Sequence, residues 1–293
     1  MTMQLMKEQI KRLIAEHNLE RVSKRIEELL VPAIHISKLN RGTGSIGTSR
    51  IGGLPDVPQD FEYPYCQGHP LGFLAQINCS DLINYDFGSA LPHRGMLYFF
   101  YDMVEKPWGY DPKHRGGSAV VYIPAATSEA LSRYELPLGS NIEELCFQEY
   151  NIGFKVIPSL PSHYASTIFD QEDFNPEEID NYFNLLNDLK QECVQDEPLH
   201  QLLGHSNNLQ GDMQIECQLV FHGLYCGNSS GYQDPRAKVL KIDASEWRLL
   251  LQIDSDDDIG AMWGDVGLIF FWIRKFDLKE RQFSKTWTIL QCG

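Results

Sequence analysis

The sequence predicts an α+β protein, mainly β: a single domain built from a duplicated three-stranded antiparallel unit, with N-terminal helices and one further long helix. Three observations carry this. "PLGFLAQINCSDL" followed by "GMLYFFYD" resembles "WRLLLQIDSDDDI" followed by "GLIFFWI", which aligns Gln76 with Gln252, Ile77 with Ile253 and Gly95 with Gly267. Each copy then reaches a third apolar run, "AVVYIP" in the first and "TWTIL" in the second. Long stretches of helical periodicity are confined to residues 3–30 and 175–193.

In chain order, Ile10, Leu13 and Ile14, then Val22, Ile26, Leu29 and Leu30, recur at helical spacing, with a break at His17-Asn18. "VPAIHISKL" at 31–39 alternates as a strand does, so residues 1–40 form a helical segment and first strand, and 41–293 the main domain. The copies occupy about 71–123 and 247–291, and their glutamine-to-glycine intervals of 19 and 15 residues differ only in the connecting loop. A three-stranded unit of about 50 residues cannot bury a face alone, so the two are expected to pack together. Between them, Asn175 can cap a helix and Pro176 suits its first turn, with Ile179, Tyr182, Phe183, Leu186 and Leu189 on one face. "MQIECQLVFHG" reads as a strand, and "PRAKVLKIDAS" at 235–245 as a short helix.

Composition limits the partners. At 293 residues, 43% of them hydrophobic, the chain can bury a large core. Twenty-five Lys and Arg against 40 Asp and Glu leave a charge of −15, which disfavours nucleic acid and anionic membranes. Residues Asp170 to Glu197 hold ten acids and one lysine, whereas residues 1–50 hold nine bases and five acids. The acidic stretch is expected to meet either a basic protein partner or the chain's own N-terminal segment. Seven scattered cysteines without a CxxC pair suggest reduced thiols. The charged opening "MTMQLMKEQIKRLIAEHN" lacks the apolar stretch of a signal peptide, and the expected location is the cytoplasm.

At "SRIGGLPDVPQDFEYP", "PLGFLAQINCSDL", "HQLLGHSNNLQGDM" and "WRLLLQIDSDDDIGAMWGDVGLIFF", the sequence resembles the bacterial YwqG-like family, from about Ser49 to Cys292. The resemblance implies a mainly β, α+β domain and carries no established reaction, cofactor or catalytic residue. Proximity of some members to toxin systems implies an immunity or partner-binding role. Ser206 in "LLGHS" stands where the family motif is expected to hold proline, which bears on the shape of that turn.

Several residues are candidates for chemistry. Asp254, Asp256, Asp258 and Asp265 imitate the oxygen-ligand rhythm of a calcium loop, but the sixth position is Ile259 where a glycine is needed, and the flanks read as strands. A solvated turn is the plainer reading. Gln76 and Gln252 are expected to bond loop backbone, across the pseudo-twofold axis, or else to line a ligand cleft between the copies. Trp263 and Asp265 can join that cluster, with the indole covering the sheet's end. "RGTGSIGTSRIGG" has dinucleotide-like glycine spacing, but Gly52, Gly53, Pro55 and Pro58 forbid the helix that must follow; Ser49 and Arg50 remain as polar contacts. Cys217 and His222, read on a strand, point to opposite faces and make a zinc site with Cys226 improbable, and His200 and His205 read as structural. No local motif of nucleophilic catalysis is present. The expected function is a non-enzymatic binding or immunity-type module with no cofactor. The alternative is a hydrolase using Asp254 and Asp265 in a cleft between the copies.

Overall fold

The computed structural model describes residues 1–42, 44–85, 90–125, 130–135 and 145–293. Ten strands join in one sheet: β1 (Val31–Arg41), β2 (Arg50–Ile51), β3 (Gly72–Asn78), β4 (Met96–Tyr101), β5 (Ser118–Ile123), β6 (Tyr150–Ser159), β7 (Gln201–Leu202), β8 (Trp247–Asp254), β9 (Leu268–Arg274) and β10 (Trp287–Gln291). Their order is β10-β9-β8-β7-β1-β6-β2-β3-β4-β5, and every pairing is antiparallel. Outside the sheet, Asp56–Val57 pairs with Ser132–Arg133, and Tyr65–Cys66 with His69–Pro70. The α+β, mainly β class is as expected.

The order reads alike from both ends. β2 to β5 make one wing and β7 to β10 the other, yet β1 pairs with β7 and β6 pairs with β2. Neither run of five strands can therefore leave without tearing both wings. The stretches 71–123 and 247–291 supply β3–β5 and β8–β10. Both contain a register shift at the same point, at Leu74 between Phe73 and Ala75 and at Leu250 between Leu249 and Leu251. The correspondence continues into β1–β2 and β6–β7: Ile36 N donates to His200 O over 2.8 Å, and Ile152 N to Ser49 O over 3.4 Å.

Strand alternation assigns the core. Leu97, Phe99 and Tyr101 of β4 share an inner cluster with Ile269, Phe271 and Ile273 of β9. The intervening Met96, Tyr98 and Phe100 face an outer cluster with Val57 and Tyr63, and Leu268, Phe270 and Trp272 face another with Met213, Cys217 and Val220. Because both faces are covered, β4 and β9 read as continuous apolar runs. Phe99 and Phe271, at equivalent points of the two wings, meet edge-on with ring centroids 5.4 Å apart.

Helices cover the middle strands. α1 (Met3–Glu16) and α2 (Ser23–Leu29) bury Met6, Ile10, Leu13, Ile14 and Ile26 against α3 (Pro176–Val194) and against Val156 and Ile157 of β6. Asn18, with φ 53°, makes the break between the first two. A capping box between Asn175 and Glu178 starts α3 as the sequence signals. Its buried face differs from the expected one: Tyr182, Leu185, Leu189 and Cys193 point inward, while Phe183 is 49% exposed. Tyr182 decides this by stacking on Phe169 at 4.7 Å and donating its hydroxyl to Pro161 O over 2.8 Å.

Residues Met213–Phe221 form helix α4, not the expected strand. The alternation of Met213, Ile215, Cys217, Leu219 and Phe221 imitates a strand. Asp212, however, caps Gln214 N and Ile215 N, and the buried Gln214 and Gln218 hold Trp247 at helical i,i+4 spacing through its carbonyl and its indole N–H. Three short helices follow: α5 (Ser229–Gln233), α6 (Ala237–Leu240), which leads into a 3₁₀ turn at Lys241–Glu246, and α7 (Lys275–Lys279). No helix among the described residues is long and apolar enough to cross a membrane.

Candidate functional site

The paired glutamines are fully buried and do the same task twice. Gln76 donates to Thr48 O (2.8 Å) and accepts from Asp56 N (2.7 Å); Gln252 donates to Leu199 O (2.9 Å) and accepts from Asn207 N (3.1 Å). Each amide ties the residue two before a short strand to the residue six after that strand's start. The loop between must turn sharply, and it does so at Gly52 and Gly53 (φ 71° and 70°) in one wing and at Leu203 and Gly204 (φ 58° and 71°) in the other. Each glutamine thus braces its own wing and does not span the axis between them. Ser206 occupies the turn position that Pro55 holds in the first wing, and its hydroxyl donates to Asn208 Oδ1 over 2.5 Å.

Around this shared frame the wings differ in charge. Arg50, opposite Gln76 in register, is completely buried and faces Glu149 Oε1 at 3.0 Å and Asp56 Oδ2. Arg133 closes the square, reaching Asp56 Oδ1 at 2.8 Å and Glu149 Oε2 at 2.9 Å. In the second wing, Gln201 holds the register opposite Gln252. Asn207 and Ala33 take the places of Asp56 and Glu149: Asn207 N donates to Gln252 as Asp56 N does to Gln76, and a side chain at Gly204 would meet Ala33 as one at Gly53 would meet Glu149. Ser49 is tied to Asp81 Oδ2 (2.7 Å) and to Asn78 N (2.8 Å).

The acidic loop is bound to the body of the protein. Asp254 Oδ2 accepts Leu199 N at 2.9 Å, and Lys38 Nζ reaches Asp256 and Asp258, each at 2.7 Å. Burial opposes ionisation of Asp256, but hydrogen bonds from His200 (3.0 Å) and Lys38 outweigh it and hold the carboxyl at about 2. Asp265 is exposed. Trp263 is buried edge-on against Tyr101 and Phe147, and its indole N–H has no partner among the described residues. Among the described residues no group of three His, Cys, Asp or Glu side chains is placed to hold a metal ion.

One titratable group escapes sequence reasoning. Glu216 of α4 is pushed up to about 7, first by burial and then by the charge of Asp212. The folded state therefore binds a proton that the unfolded state has released, so this contribution to stability is complete below about 4.5 and lost as pH rises through about 7. Glu216→Gln is expected to remove that slope and to stabilise the protein at pH 8 by up to about 3 kcal/mol. Urea unfolding of both proteins between pH 5 and pH 8 tests this; parallel pH profiles would refute it. Only the fold creates the signal, because a strand would not have enclosed this side chain beside Asp212.

Two adjoining cavities lie beside the second wing. The larger, about 500 Å³, has a wall of Trp247, Leu249 and Trp272 facing Leu29, Ile34 and Ile168, and it also contains Arg25, Arg248 and Lys275. The second, about 390 Å³, shares Ala90, Arg248 and Lys275 with the first and adds Lys279 and Arg281. No Asp or Glu lines either cavity among the described residues. Arg25 pairs with Asp173 at 3.2 Å and Lys275 with Glu246 at 3.3 Å, while Arg248, Lys279 and Arg281 have no carboxylate within 4.0 Å among the described residues. Thr167 Oγ1 and Trp272 Nε1, both in residues of the larger cavity's wall, are buried without a hydrogen-bond partner among the described residues. Such an atom costs about 1–3 kcal/mol to leave unpaired.

A family model described as a domain of unknown function, DUF1963, matches residues 49–292. The chain belongs to the DUF1963 family. A search of curated proteins finds no match. The DUF1963 match begins at Ser49, beyond β1, although β1 lies at the centre of the sheet between β6 and β7. Four cations of the cleft, Arg248, Lys275, Lys279 and Arg281, fall inside the DUF1963 region, and Arg25 lies outside it.

Proposed function

We propose that this DUF1963 protein, within the YwqG-like grouping, is a non-enzymatic binding module that recognises an anionic ligand in the basic cleft of its second wing. The observation that carries the reading is the gathering of Arg248, Lys275, Lys279 and Arg281 around one cavity, on a chain whose net charge is −15. A cation 5 Å from an anion contributes roughly 1 kcal/mol in bulk water and about 3 kcal/mol at an effective dielectric near 20. The four side chains are exposed, so the first figure applies and added salt weakens it further.

The acidic stretch meets bases within the chain: Asp173, Glu178, Asp188 and Glu192 face Arg25, Arg21, His17 and Arg12. A basic protein partner would meet a field already partly cancelled. The hydrolase alternative needs carboxylates in a cleft, whereas Asp254 and Asp265 line neither cavity.

Calorimetric titration with inorganic pyrophosphate at low salt tests the proposal. Saturable binding is expected, weakening as salt is added and falling about tenfold in an Arg248→Ala, Arg281→Ala double variant. Absence of binding, or affinity indifferent to both salt and the substitutions, would exclude it.

A further inference from the structure

We infer that a cavity between α3 and the turn after β7 is a further binding site, which takes an extended peptide of a partner protein as an added strand against Ser206–Asn208. It shares none of the cations proposed to hold the anion. The first wing shows the kind of occupant. There, Ser132–Arg133 lies against Asp56–Val57 as an antiparallel strand, Pro55 O accepts Tyr134 N over 2.8 Å, and Arg133 reaches the Asp56 carboxylate. Ser206, Asn207 and Asn208 stand in the places of Pro55, Asp56 and Val57, yet no strand pairs with them among the described residues. Ser206 O accepts no hydrogen bond among those residues, while Asn208 O takes the Ser162 hydroxyl over 3.3 Å. Beside them lies a cavity of about 370 Å³, whose lining includes Asn207, Asn208 and Gln201, the last in the place of Arg50.

This cavity offers such a segment apolar cover and a polar anchor. Phe183 and Tyr164, 49% and 43% exposed, line it with His163, whose ring centroid lies 5.9 Å from the first and 4.0 Å from the second. These rings keep surface that a ligand can cover. Gln201 is buried, and its amide nitrogen donates to Leu203 O and His205 O over 2.9 and 2.8 Å. Its oxygen is left as an acceptor with no partner among the described residues. Lys190 lines the cavity, and no Asp or Glu does among the described residues. The side chain that takes Arg133's place must therefore donate hydrogen bonds without a positive charge, as a glutamine or asparagine amide does. Backbone pairing would supply affinity and this pocket selectivity, the usual division in strand addition.

Fluorescence anisotropy with labelled, end-blocked peptides tests the inference. The probes are Ala-Leu-Ser-Gln-Tyr-Glu, which copies residues 130–135 with glutamine in place of Arg133, the unaltered copy, and the first peptide N-methylated at its tyrosine. The glutamine peptide is expected to bind saturably, and the arginine copy about tenfold more weakly, because no carboxylate awaits it. N-methylation removes the N–H that corresponds to Tyr134 N and should also weaken binding about tenfold. Asn187→Trp, at an exposed position in the cavity wall, should abolish peptide binding and leave the pyrophosphate titration unchanged. Absence of saturable binding by the glutamine peptide would overturn the inference while the anion-binding reading stands. Equal affinity for the N-methylated peptide would overturn the strand pairing. Concentration-dependent dimerisation that Asn187→Trp prevents, with no peptide bound, would overturn the partner peptide in favour of a second copy of this chain.

Discussion

Replacing Arg50 by glutamine is expected to destabilise the protein by on the order of 3–5 kcal/mol, although glutamine is the residue type that holds the equivalent register in the second wing. Arg50 is completely buried and faces Glu149 and Asp56, both buried. With Arg50 gone, Asp56 keeps neutral donors in Gly47 N and Gln76 Nε2, but Arg133, which is partly exposed, is the one cation left to the two carboxylates among the described residues. An uncompensated buried charge costs far more than the pair contributes, and this asymmetry sets the size of the loss. The second wing shows what relieves it: Gln201 is accompanied there by Asn207 and Ala33, not by acids. The triple variant Arg50→Gln, Asp56→Asn, Glu149→Ala should therefore recover most of the stability that the single variant loses. Urea denaturation of the single and triple variants decides this. If the triple variant is no more stable than the single one, the correspondence between the wings does not extend to their energetics.

Phe99→Ala and Phe271→Ala should each cost about 3–5 kcal/mol, and the double variant should cost about 1 kcal/mol less than the sum. Both rings are wholly buried on the inner face and touch at 5.4 Å, one from each wing. Each truncation opens a cavity lined by branched and aromatic side chains that already pack on both sides, so little collapse is available to fill it. The coupling arises because removing the second ring costs less once its partner has gone. A double-mutant cycle measured by chemical denaturation gives the coupling directly. Strict additivity would mean that the wings do not pack as one core through this contact.

The glutamines show both how far the sequence can be read and where it stops. Their recurrence in "LLLQID" and "FLAQIN" signalled a shared task, and the alternation of strand residues placed them on equivalent faces. Their partners were illegible, because Thr48, Asp56, Leu199 and Asn207 reach them only across strand pairings. The aspartates of 254–258 were legible as an unusual cluster, but Lys38, which neutralises two of them, lies more than two hundred residues away in the chain. Glu216 was hidden for a different reason: its segment alternates like a strand, and its carboxyl is perturbed only on a capped helix packed beside Trp247.

Local patterning and repetition, working through side-chain periodicity and capping, determined the mainly β class, the N-terminal helices, the Asn175-capped helix and the recurring strands at 71–123 and 247–291. Those signals act within a few residues and survive in the linear chain. The exchange of β1 and β6 between wings, the square that buried Arg50, Asp56 and Glu149 make with Arg133, and the adjoining cavities lined by Arg25, Arg248 and Arg281 were decided only by tertiary structure. Antiparallel pairing and the burial of both sheet faces bring distant segments together, and the charge that a cavity gathers depends on where those segments end up, which spacing along the chain does not encode.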